Sequence, residues 1–414
     1  MPFRLLIILL SLIFLYPFSA QAKDRATWWR IQSIDTMKYS RDIAREKLKD
    51  SSFDSVIDRQ VKDIASTGAT HVAVGTPYDE EFVPFLSRWV IVARKYKLNV
   101  WFRGKLSGWE KWFGYSRLTP EDHTQGITQF IQNHSDLFVD GDVFSSCPEC
   151  ENGGMGDPRH QADLSDHREF LITEYTSVTT AFSKIKKQVL VLNSSNGDVA
   201  KLVMDPPTTA KLGGIVGIDH YVSTPEKLAS DVSKLAKSSQ GQIFLGEFGV
   251  PIPDIHGRLT PNQQVLWLDK ALKLLTESPV LGINYWTSVG GSTQLWTDAG
   301  KANPAVATLT SYYFPKTVTG TVVNSIGEPL SGAQVSTSLK LIITDPRGQF
   351  QLPILSDSQD TLTISASGYK TKEYKSYSNN QINKIIMDKE KEGILYRLKY
   401  LIFKIFSDII NPLK

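Results

Sequence analysis

The chain has 414 residues, of which 41% are hydrophobic and 21% charged, an ordinary globular composition and length enough for one large domain and one small one. Its formal net charge of +3 is spread along the sequence, so nothing points to nucleic acid as a partner, and charge alone does not identify a substrate.

Residues Met1 to Ala22 combine Arg4, an apolar run from Leu5 to Phe18 and the small-residue ending Ala20-Gln21-Ala22. This order is that of a secretory signal peptide and predicts a chain secreted or held at the cell surface. A membrane anchor is the rival reading, against which the run is short for a span of ~20 residues.

From residue 23 to 315, short β-branched runs alternate with longer amphipathic stretches. The predicted strands are Ile31–Thr36, His71–Thr76, Asn99–Arg103, Asp142–Cys147, Val189–Asn193, Ile215–Tyr221, Gln242–Phe248 and Leu281–Thr287. Between and after them lie helical patterns, three of which open with Thr-Pro at Thr119, Thr224 and Thr260, a Thr for the N-cap and a Pro for the first helical position. Eight βα units of this size predict a (β/α)8 barrel, and the absence of G-x-G-x-x-G after the first strand disfavours a dinucleotide fold.

The only cysteines, Cys147 and Cys150, stand in the run Cys147-Pro148-Glu149-Cys150. Export would permit a disulfide, although so tight a loop gains little stability from one. Two thiolates do not make a four-ligand zinc site. A thioredoxin-like redox use of C-x-x-C is disfavoured, because the motif ends a strand instead of opening a helix.

From 316 to 388 the texture changes to alternating Thr, Val, Ser and Gly, with turns at Gly327-Glu328-Pro329, Asp345-Pro346-Arg347-Gly348 and Ser367-Gly368-Tyr369. It reads as a compact all-β domain. The runs Gly327 to Val335, Thr344 to Phe350 and Gly368-Tyr369 resemble the carboxypeptidase regulatory-like domain family. That resemblance implies a sandwich of about seven strands, an accessory module without chemistry of its own. The last stretch, 389–414, places Arg397, Lys404 and Asp408 on one side of a helical projection and Leu395, Leu398, Ile402, Ile405 and Ile409 on the other. An amphipathic, cationic C-terminal helix is expected, lying on a membrane surface or docked on a domain, too charged to span a bilayer.

In a (β/α)8 barrel the reactive side chains gather at the C-terminal ends of the strands. There the sequence offers Arg103 after strand 3, Glu149 and Glu151 after strand 4, Asp219-His220-Tyr221 at strand 6, Gly246-Glu247-Phe248-Gly249 at strand 7 and Tyr285-Trp286 at strand 8. Taken singly each has a structural use: a Glu as a helix cap or ion-pair partner, Arg103 as a buried ion pair, His220-Tyr221 and Trp286 as packing. Their joint placement is what points to chemistry. Retaining glycoside cleavage needs one carboxylic acid to protonate the leaving oxygen and one carboxylate to attack the anomeric carbon. Glutamates on strands 4 and 7 suit that pair, with Glu149 kept protonated by burial and Glu247 kept ionised by donors such as Arg103 and Tyr221.

The arrangement resembles clan A glycoside hydrolases, the group of family 5 cellulases and mannanases, over about residues 30 to 314. The resemblance implies Glu149 as acid/base, Glu247 as nucleophile, His220 and Tyr221 lining the sugar subsite, and Trp286 beneath the sugar. Two positions depart from the clan. Pro148 stands where the clan has an Asn that holds the sugar 2-hydroxyl, so either Asn152 or Asn193 supplies that contact, or Glu151 is the acid. The clan's Arg after strand 2 is missing, and Arg103 on the next strand takes its place.

Aromatics at and after strand 3 (Trp101, Trp109, Trp112, Phe113, Tyr115), with Trp296 beyond strand 8, offer faces for sugar rings or cover for helices. No cofactor or metal is expected: H-E-x-x-H, G-x-S-x-G and EF-hand patterns are absent, and the remaining histidines show no ligand spacing. The expected activity is that of a retaining glycoside hydrolase on an extracellular poly- or oligosaccharide. A catalytically inactive barrel that binds carbohydrate at the cell surface is the alternative.

Overall fold

The computed structural model describes residues 26–154, 156–355, 361–374 and 381–390. The leader 1–22 and, beyond residue 390, the cationic tail lie outside them. The described chain forms two compact units, one of residues 31–271 and 279–306, the other of residues 26–30, 272–278 and 307–390.

The first unit is a curled parallel sheet surrounded by helices. Its strands are β1 (Ile31–Asp35), β2 (His71–Val74), β3 (Asn99–Phe102), β4 (Val143–Phe144), β5 (Leu190–Val191), β6 (Ser194–Asn196), β7 (Ile215–Asp219), β8 (Gln242–Phe248) and β9 (Val280–Tyr285). They are hydrogen-bonded in the order β5-β4-β3-β2-β1-β9-β8-β7-β6. The two outermost strands, β5 and β6, are successive segments of one stretch of chain; the predicted strand Val189–Asn193 contains β5, and β6 lies just beyond its end. Leu192 still donates to the Phe144 carbonyl of β4, whereas from Ser194 the pairing passes to Gly217 of β7. The break is set by Asn193, whose side-chain oxygen accepts the N–H groups of Ser146 and Cys147 and so ties the end of β4 to it.

Because side chains alternate along a strand, residues two apart face the same way. Ile31, Ala73, Trp101, Val143, Leu192 and Phe244 form one apolar cluster from five strands and the break. Two residues further along, the same faces carry Ser33, Gly75, Arg103, Ser145, Ser194 and Gly246. An apolar layer is thus followed by a polar layer, toward the C-terminal strand ends where a barrel carries its chemistry.

Seven longer helices, Asp54–Ser66, Val83–Lys95, Pro120–Asn133, Ser165–Lys184, Pro225–Ser239, Pro261–Thr276 and Ala305–Tyr313, follow the predicted amphipathic stretches. The three Thr-Pro starts are caps: Thr119 accepts from Asp122 N, Thr224 from Lys227 N and Thr260 from Gln263 N. Each such cap contributes ~1 kcal/mol. Two short helices not read from the sequence, Gly197–Val203 and Pro206–Lys211, fill the connection after β6; the second is capped by Asp205, which accepts from Thr208 N.

The second unit contains the all-β domain. β10 (Lys316–Asn324), β13 (Gln349–Ile354) and β16 (Gln381–Met387) form one sheet, and β11 (Gln334–Ser336), β12 (Leu341–Ile343), β14 (Leu362–Ser365) and β15 (Lys372–Tyr374) form another. Alternate residues of the strands, Val318, Val322, Val335, Phe350, Leu352, Leu362, Ile364, Ile385 and Met387, make its core. The predicted turns hold the strand ends. Asn324 Oδ1 accepts from the N–H groups of Ile326 and Glu328, and Asp345 Oδ1 from those of Arg347 and Gln349.

Candidate active site

Arg103 is the hub of the polar layer. Its Nη1 donates to Asp35 Oδ2 and to Glu247 Oε1, both at 2.8 Å, and its Nη2 to Asp219 Oδ2 at 2.9 Å. The side chain is wholly buried. Burial by itself would lower the guanidinium, but the three carboxylates carry it well above its ordinary range. Asp35 and Asp219 are pushed up, by burial first, with Arg103 opposing; Asp219 rises well above the usual carboxylate range. One guanidinium facing three carboxyls favours retention of a proton within the cluster.

Asp35 is fixed further by Met37 N and Asn284 Nδ2, at 2.6 and 3.0 Å. Asp219 accepts a bond from Ser194 Oγ at 3.2 Å. Its other oxygen lies where a side chain at residue 246 would stand: a Cβ there would come within 2.2 Å of Asp219 Oδ1. That close approach gives Gly246 its place in the run before Glu247.

Glu247 accepts at both oxygens, from Arg103 and, at 2.8 Å, from the Tyr221 hydroxyl. Burial, then the charge of Glu247, pushes the Tyr221 phenol well above its ordinary value, so it serves as a donor. Trp286 stands edge-on to Tyr221, ring centres 6.2 Å apart, and is partly exposed. Lys38 Nζ lies 5.5 Å from the Trp286 ring centre.

Glu149 sits in the loop after β4 in the left-handed conformation, φ 50° and ψ 55°. Its N–H donates to Ser194 O at 2.7 Å, and Asn152 Nδ2 donates to its Oε2 at 3.0 Å. Burial, and after it the charge of Glu247, pushes its carboxyl up to about 6, with Lys105 acting against them. The two glutamates therefore feel one another while their surroundings differ. The flanking cysteines are joined as Cys147–Cys150.

Other residues singled out in the sequence have different partners. Glu151 is buried and accepts from the N–H and side chain of Asn196 at 2.6 and 3.0 Å. The oxygen of Asn193 is committed to the backbone after β4. His220 turns its Nε2 to Asp231 at 3.0 Å and packs its ring against Gly197, while its backbone N–H takes the Glu247 carbonyl. Burial lowers its imidazole below the ordinary value. Trp101, Trp109 and Trp296 are buried. Trp101 packs edge-on against Phe244, and Trp109 stacks on Phe170 while donating to Cys150 O. Of the aromatic group after β3, Trp112, Phe113 and Tyr115 keep partial exposure, with Arg41 and Lys105 against the Trp112 ring.

Asp35 and Asn284 escaped the sequence reading. Their signal was a polar residue near the end of its strand, two positions on from an inward-facing one, at Ser33 to Asp35 and Gly282 to Asn284. Among the described residues no group of His, Cys, Asp and Glu has the arrangement of a metal site, and no helix is long and apolar enough to cross a membrane.

Residues 317–384 match the carboxypeptidase regulatory-like domain model, in agreement with the two sheets described above. No curated protein matches the chain. Among solved structures, similarity extends to a β-glucuronidase 2 of Bacteroides uniformis bound covalently to cyclophellitol-6-carboxylate aziridine, with 11% identity over 81% of this chain and 44% of that one and a TM-score of 0.45. A structure of fungal β-1,4-galactanases has 12% identity over 68% of this chain and 99% of that one, with a TM-score of 0.47. The β-D-glucuronidase of Dictyoglomus thermophilum has 13% identity over 70% of this chain and 51% of that one, with a TM-score of 0.46. The chain thus spans less than half the length of the Bacteroides enzyme and about half that of the Dictyoglomus one.

Proposed function

We propose that the barrel is a retaining glycoside hydrolase of the clan A type, acting on a poly- or oligosaccharide outside the cytoplasm. One observation carries the reading. Glu247 takes donors at both oxygens from Arg103 and Tyr221, whereas Glu149, within its electrostatic reach, is pushed up to about 6. A carboxyl raised toward neutrality beside a carboxylate held by two donors is what acid and nucleophile require.

In this reading Glu247 attacks the anomeric carbon as the bond to the leaving oxygen breaks, and Glu149 gives that oxygen its proton. A glycosyl ester on Glu247 results. Water, deprotonated by Glu149, then attacks the anomeric carbon and frees Glu247. Arg103 and Tyr221 orient the nucleophile, and Trp286 offers its ring face to the sugar. Glu151, bound to Asn196, is less suited to the acid role than Glu149. The disulfide accords with an oxidising location.

The test is hydrolysis of β-glucans, mannans and aryl glycosides by the secreted form beside Glu247→Gln and Glu149→Gln. Activity abolished by the first and sharply reduced by the second supports the mechanism. Binding of sugar without hydrolysis on every substrate would replace it with a carbohydrate-binding barrel.

A further inference from the structure

Glu149 stands between two bonded cysteines, and its backbone is in a region that residues with a β-carbon rarely adopt. Such a conformation is strained and persists only where its surroundings impose it. Released, the residue would return to a right-handed or extended backbone, and its Cα–Cβ bond would point elsewhere.

The surroundings impose it from both ends. Cys147 N–H donates to Asn193 Oδ1 at 3.3 Å, and Cys150 O accepts from Trp109 Nε1 at 3.0 Å. Both sulfurs are buried in a cluster with Trp109, Phe170, Leu171, Val199 and Val203. The disulfide closes the span to a Cα–Cα distance of 5.0 Å. Inside that span Pro148 has its φ fixed by its ring, so the remaining freedom falls on Glu149. A disulfide stabilises a fold mainly by closing long loops in the unfolded chain, and one closing a separation of three residues has little of that effect. What this bond can do is local. With Cys147 and Cys150 0% and 1% exposed, the bond is shielded from reductants, which argues against a redox switch.

We propose that the Cys147–Cys150 disulfide is a positioning device for Glu149, holding its carboxyl where it can protonate the leaving oxygen; this rests on the glycosidase reading above. Neither cysteine touches the reacting atoms. Their effect passes through the backbone of one residue.

The test compares the native protein with Cys147→Ser/Cys150→Ser on two aryl or alkyl glycosides of the same sugar. An alkyl leaving group needs the proton from Glu149, whereas dinitrophenolate leaves without it. The proposal expects kcat/KM on the alkyl glycoside to fall at least about tenfold, while kcat/KM on the dinitrophenyl glycoside stays within about threefold. Azide, a nucleophile that needs no general base, should raise kcat of the variant on the dinitrophenyl glycoside. Equal losses on both substrates, no loss on either, or free thiols in the native protein by alkylation and mass spectrometry would overturn it. If the double serine variant does not fold by near-ultraviolet circular dichroism, Cys147→Ser/Cys150→Val keeps more of the buried volume. Failure of both to fold would assign the bond to stability and overturn the proposal. Native protein inactive on every glycoside would instead refute the glycosidase reading and remove the proposal's basis.

Discussion

Replacing Glu149 by Gln should stabilise the barrel at neutral pH and leave its acid stability relative to the native protein unchanged. Burial, with the charge of Glu247 behind it, raises this carboxyl from its ordinary 4.5 to about 6. A difference of that size corresponds to ~2 kcal/mol between folded and unfolded chains once the group is ionised in both. The folded state holds the proton more tightly. Stability is therefore unaffected by this group below about pH 4.5, falls as pH rises toward about 6, and stays lower above it. Glutamine has nearly the same volume and no proton to lose, so the fall should vanish in the variant. Any change in the bond from Asn152 Nδ2 is common to both pH values and cancels in the comparison. Urea unfolding of the two proteins at about pH 4 and at about pH 7.5 reads the effect directly: the advantage of the variant should grow by ~2 kcal/mol between the two. Parallel pH dependence would mean that Glu149 titrates as a free carboxyl and would refute the electrostatic account of the site.

Arg103→Met leaves Asp35, Asp219 and Glu247 without their shared cation, and should cost ~3–5 kcal/mol in thermal or urea unfolding, more at neutral pH than in acid where the carboxyls can take up protons. Tyr221→Phe removes the 2.8 Å donor to Glu247 Oε2; a bond to a charged group contributes ~1.5–3 kcal/mol, so urea unfolding should show a loss of up to that size, and kcat/KM on glycosides should fall as Glu247 loses a contact that orients it. In the β-domain, Leu352→Ala empties part of a fully buried site and should destabilise that unit by ~2–5 kcal/mol in urea. Liposome co-sedimentation of the intact chain against one ending at Asp388 checks the membrane role expected of the tail, and equal pelleting would remove it.

The barrel was legible because its strands are short, rich in β-branched and aromatic residues, and spaced by amphipathic helices, three of which begin with Thr-Pro, signals each residue carries locally. The division at Leu192-Asn193 was not, since it depends on Asn193 reaching the backbone of a strand far away in the sequence. Of the candidate site, Glu149, Glu247 and Tyr221 were placed together by their positions at strand ends, and the structure brings the Tyr221 hydroxyl onto Glu247. The partners of Arg103 were only partly visible: Glu247 was expected, but Asp35 and Asp219 meet it through the interior of the sheet. His220 was expected in the subsite because the clan A resemblance implies it, yet alternation gives neighbouring residues opposite faces, and its ring meets Asp231 on the following helix. The aromatic cluster separated likewise, because strand position does not reveal which indoles the helices cover.

The break in the fifth strand position divides the sheet into two halves, β1 to β5 and β6 to β9, that join along two seams: the pairing of β1 with β9, and the two residues Leu192 and Asn193. The charge cluster straddles this division, with Asp35 and Arg103 on the first half and Asp219 and Glu247 on the second. Alone, the first half would hold a guanidinium with one carboxylate, and the second two carboxylates with none. The first share is matched in charge, but the second half could not bury its two carboxylates without the guanidinium of the first. The cluster thus works as a lock that engages only when both seams shut, so that a half-assembled barrel is penalised electrostatically before any substrate arrives.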